Sequence, residues 1–141
     1  MTTITFRHAR IAAVTLTLLE MFGTNANAQC PDNIPQSVVN SVRHPEVRAL
    51  AAASPRLTPS FIAQNGGIAA MTRQVREQIA ADRHWLAQEE ANQRTLAQQG
   101  MANDQRARTG RDLIERMRDN LRLNQAYLQL RCRAFAMRQL E

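Results

Sequence analysis

The chain has 141 residues, 18 basic against 12 acidic, two cysteines and an aromatic content of 4%. Every basic residue is an arginine, as a GC-rich coding bias would produce, so the choice of arginine identifies no ligand. The cysteines, Cys30 and Cys132, stand too far apart for a CxxC redox motif or a zinc cluster, and the scarcity of aromatic side chains argues against a base-stacking nucleic-acid surface.

Residues 1–28 read as a secretory signal. Arg7 and Arg10 give a positive start without an acid, an apolar run follows to Leu19, and Ala26-Asn27-Ala28 supplies the small-x-small step of a cleavage site. Glu20 ends the apolar run well short of the roughly 20 residues that a membrane span requires, which disfavours a retained anchor. Gln29 stands directly before Cys30 where lipoprotein processing calls for a small residue, which disfavours a lipid on Cys30. A periplasmic or secreted protein cleaved after Ala28 is expected.

Residues 29–67 form a lead-in that holds all five prolines. Proline is accepted in the first turn of a helix and poorly inside one, so three short helices are predicted, starting near Pro35, Pro45 and Pro59. Thr58 can cap the third, and Asn65-Gly66-Gly67 can end it.

Residues 68–141 contain no proline and are rich in helix formers. In the first part, Ile68, Met71, Val75, Ile79, Leu86 and Leu96 make a thin apolar stripe, interrupted by Asp82, Glu89 and Gln93. In the second, Ile114, Met117, Leu121, Leu128, Cys132 and Phe135 make a stronger one, broken at Asn124 and flanked by Leu113, Leu123, Tyr127, Leu130 and Met137. Asn124 is either a register-setting amide or a half-exposed one. Trp85 lies at the edge of the first stripe. A turn at residues 100–104, with Asn103 or Asp104 as cap, folds the two helices into an antiparallel hairpin. The alternative is one helix of about 70 residues, roughly 105 Å long, which would have to dimerise.

The fold class expected is therefore all-α: a helical hairpin with an N-terminal lead-in of short helices and turns, stapled by a Cys30–Cys132 disulfide. In an oxidising compartment such a pair closes, and its loop of about 100 residues contributes on the order of 4–5 kcal/mol by the chain-entropy estimate.

Chemistry is harder to find. No phosphate-cradling loop, cofactor motif or metal-ligand spacing is present, and no nucleophile pattern surrounds a histidine. His44, Glu46 and His84 are the candidates for a site between lead-in and hairpin, should the protein be an enzyme. Acids around Asp112, Glu115 and Asp119 alternate with arginines at helix-pair spacing, as on a solvated face.

Charge is uneven: residues 105–141 carry nine arginines and four acids, and so the whole positive excess of the chain after Ala28. Arg106, Arg108 and Arg111 are the candidate contacts for an anionic partner. The expected function is non-enzymatic binding of a protein or an anionic envelope component, without nucleic acid, with self-association as a further outcome. A periplasmic chaperone or a component of a secretion or conjugation apparatus is the alternative, although Leu57-Thr58-Pro59-Ser60-Phe61 lacks the glutamine of the chaperones' LTxxQ repeat.

Overall fold

The computed structural model describes residues 30–141, so the signal segment expected at residues 1–28 and its cleavage site lie outside the described residues. Those residues form five helices and no strand: α1 (Gln36–Ser41), α2 (Pro45–Ala53), α3 (Pro59–Gln64), α4 (Ile68–Gln98) and α5 (Gln105–Gln139). The helices all belong to a unit spanning Asp32–Glu141.

Two of the short helices begin where proline and a polar cap coincide, while α1 follows Pro35 without a side-chain cap. In α2, Pro45 occupies the first turn and His44 caps it, its Nδ1 accepting the Glu46 N–H at 3.3 Å. In α3, Pro59 follows Thr58, whose Oγ1 accepts the Phe61 N–H at 3.2 Å. α2 stops at Ser54, because the residue before Pro55 is pushed out of the helical region.

α4 ends in a glycine turn. Gly100 has φ +74°, the Met101 N–H donates to the Leu96 carbonyl at 2.8 Å and the Gly100 N–H to that of Ala97 at 3.1 Å. This is the Schellman arrangement, in which a left-handed residue turns the chain and satisfies otherwise orphaned carbonyls. Asp104 then caps α5, accepting the Gln105 N–H at 2.7 Å. The chain reverses, α4 and α5 pack antiparallel, and the single long helix is excluded.

Two kinds of packing hold this unit together. At the base, Val39 and Val42 of the α1 region and Val47 of α2 close on Leu130 and Ala134 of α5, with Val38, Leu50 and Met137 at the margin. Along the hairpin, Met71, Ile79 and Leu86 face α5, where Ala107, Gly110, Ile114 and Leu128 are buried. Gly110 is part of the seam: a Cβ there would lie 2.7 Å from Glu89 Oε1 and against the Gln93 amide. Glu89 and Gln93, two of the polar residues that interrupt the α4 stripe, therefore face α5 where its side chain is smallest.

Both cysteines are disulfide-bonded, Cys30 to Cys132. Cys132 is buried on the apolar face of α5, as its place in the stripe predicts. Leu113 and Leu123, expected to broaden that stripe, are instead exposed, because the hairpin seam is narrower than the apolar face of the last helix.

Candidate functional site

The hairpin tip carries the predicted arginines. Arg108 donates from Nε and Nη2 to the Asn103 carbonyl at 3.0 and 2.8 Å, and Arg111 donates from Nη1 to the Ala102 carbonyl at 2.7 Å. Both guanidiniums are thereby fixed over the turn and satisfy carbonyls that have no helical partner, while keeping their charge and their remaining donors. Arg106 lines a cleft beside Glu89, whereas Arg111 lines a separate cleft with Arg94 and Arg118 beside Glu90 and Glu115. The three predicted residues thus share one end of the hairpin without forming a single pocket. Arg94, which no charge count singled out, joins them.

Between residues 94 and 111 there are four arginines and one acid, Asp104, which is engaged as the α5 cap. None of the four is in an ion pair among the described residues; Arg118, deeper along the hairpin, is paired with Glu90 at 2.8 Å. Met101 is exposed in the turn between them. The chemistry available at this end is hydrogen bonding of arginine donors to anionic oxygens, with Glu89, Glu90 and Glu115 alongside in the same clefts.

Halfway along the seam, Asp82 is only 2% exposed. Its Oδ1 accepts from Gln78 Nε2 at 2.6 Å and its Oδ2 from Asn120 Nδ2 at 3.2 Å. One bond lies within α4 and the other crosses from the exposed Asn120 of α5, so the buried carboxylate ties the two helices at this level. Of the two readings open for Asn124 the half-exposed one holds, since it is half-buried at the rim of a groove, and the amide that reaches Asp82 lies one helical turn earlier.

At the base, Arg131 is 3% exposed. Nη1 donates to the Ile34 carbonyl at 2.6 Å, Nη2 to Gln36 Oε1 at 3.2 Å, and Cζ lies 4.8 Å from the centroid of the Tyr127 ring. No carboxylate among the described residues pairs with it, and both its Nε and the Tyr127 hydroxyl are buried without a hydrogen-bond partner. One helical clue was present in the sequence: Tyr127 and Arg131 are four residues apart and flank the stripe containing Cys132.

The alternative enzyme residues serve other ends. His44 caps α2, Glu46 pairs with Arg133 at 3.3 Å, and His84 lies exposed on α4 with no hydrogen bond to either. Trp85 is half-buried. Among the described residues, no three His, Cys, Asp or Glu side chains gather as a metal site, and no helix is long and apolar enough to cross a membrane. Comparison with protein-family models, with curated proteins and with solved structures finds no match.

Proposed function

We propose that this chain is an exported, non-enzymatic binding protein whose hairpin tip engages an anionic component of the cell envelope. One observation carries the reading: Arg94, Arg106, Arg108 and Arg111 gather at the end of the hairpin that bears the exposed Met101, none of them in an ion pair among the described residues, although Glu89, Glu90 and Glu115 line the same clefts. Two of these guanidiniums are held in place by the turn, so little side-chain freedom is lost when they meet a phosphate or carboxylate. The Cys30–Cys132 disulfide supports export, because such bonds persist chiefly in oxidising compartments.

The test uses the oxidised protein and vesicles of phosphatidylcholine with or without phosphatidylglycerol. Arg94→Glu with Arg106→Glu alters the tip without touching the two arginines that hold the turn. Arg43→Glu with Arg48→Glu makes the same change in net charge in the lead-in. Binding to the anionic vesicles should fall at least about tenfold in the tip variant and much less in the lead-in variant, with steep salt dependence in the wild type. Equal losses would reduce the effect to net charge, and absence of binding by the wild type would remove the proposal.

A further inference from the structure

A groove of about 270 Å³ runs between α3 and the hairpin, slightly smaller than the roughly 300–1,000 Å³ typical of small-molecule sites. Leu57, Phe61, Met71 and Val75 supply apolar walls, and every polar residue lining it is uncharged. Tyr127 forms part of one wall, and its hydroxyl is a buried donor without an acceptor. Against the same ring lies the Arg131 guanidinium, itself buried, with a second unmatched donor and no carboxylate to balance its charge. A cation over a phenol ring withdraws electron density and makes the O–H a stronger donor.

From these features we infer that the groove is a binding site for a small amphiphilic carboxylate, its apolar body lying between Leu57, Phe61, Met71 and Val75 and its anionic oxygen accepting from Tyr127. The carboxylate supplies what this wall lacks, an acceptor for the phenol whose ring the Arg131 guanidinium overlies. A neutral amphiphile of the same shape satisfies the apolar walls alone. The hydroxyl is covered in the free protein, so one wall must yield on binding. Of the groove's walls, α3 is the one taken to move, since that helix buries none of its residues and Phe61 is 46% exposed. This site is separate from the hairpin tip and does not depend on the function proposed for it.

Octanoate and octanol, which share an alkyl chain and differ in the head group, are the probes, titrated into the oxidised protein by calorimetry and followed by NMR. Octanoate should bind at one saturable site, at least about tenfold more tightly than octanol, as expected for a hydrogen bond to a charged acceptor. Tyr127→Phe keeps the ring and its guanidinium, and should reduce octanoate to the affinity of octanol while leaving octanol unchanged. Gln74→Trp, placed at the exposed edge of the groove, should abolish binding of both with the helical circular dichroism intact. Arg94→Glu with Arg106→Glu should change neither probe. The inference is overturned if wild-type protein fails to bind octanoate, if octanoate and octanol bind alike, or if Tyr127→Phe leaves octanoate affinity unchanged.

Discussion

Replacing Asn120 by alanine removes the amide that crosses the hairpin to Asp82. Asp82 is 2% exposed, and its Oδ2 would lose its 3.2 Å donor while Gln78 continued to serve Oδ1 at 2.6 Å. A hydrogen bond to a charged group is worth about 1.5–3 kcal/mol, and a buried acceptor left unmatched forfeits its solvation as well. For a chain of this size a urea m-value of about 2 kcal/mol per molar then lowers the unfolding midpoint by about 1 M. Asp82→Leu, which keeps the branching of the side chain, removes the carboxylate that needs the donor. The double variant Asp82→Leu with Asn120→Ala should therefore recover most of the loss, since Gln78 and its amide are exposed to water. Equilibrium urea unfolding of the oxidised wild type, both single variants and the double variant gives the coupling directly, provided the m-values agree. An Asn120→Ala midpoint equal to wild type, or a double variant as unstable as the sum of the singles, would refute the view that the exposed Asn120 amide stabilises the buried Asp82 carboxylate.

Two further outcomes are expected. Reduction of the disulfide should lower stability by about 4–5 kcal/mol on the chain-entropy estimate, read as the difference between urea midpoints with and without dithiothreitol. Gly100→Ala should cost about 1–2 kcal/mol from backbone conformation alone, because φ is +74° there and an added Cβ meets nothing within 4 Å; thermal unfolding at unchanged helix content would measure it.

The elements legible in the sequence are those set by local chemistry. Pro45 and Pro59, the Thr58 cap and the glycine at position 100 each act on their own few residues, and the helices start and stop where they direct. The disulfide was legible for a related reason, since Cys132 falls on the apolar face and can be placed by period alone. What was hidden depends on residues distant in the chain. Arg131 looks like every other arginine of α5 until the Ile34 carbonyl, 97 positions away, arrives to accept from it. Gly110 reads as a weak point in a helix and is a point of close approach, because the side chains it accommodates belong to Glu89 and Gln93 of the other helix. The predicted arginines were found at one end of the hairpin, yet two of them hold the turn, a role that appears only once the carbonyls of Ala102 and Asn103 have an orientation.

The bond between Cys30 and Cys132 makes every peptide link between them part of a closed ring. Cutting that ring once, in the exposed connector before Thr58 or in the turn around Gly100, releases nothing. The two resulting chains stay joined through sulfur, with Arg131 still donating to Ile34 and Gln36 across the former start and end of the fold. Loss of either piece then requires two events of different chemistry, a hydrolysis and a reduction. A protease acting alone would leave a nicked molecule with its base intact.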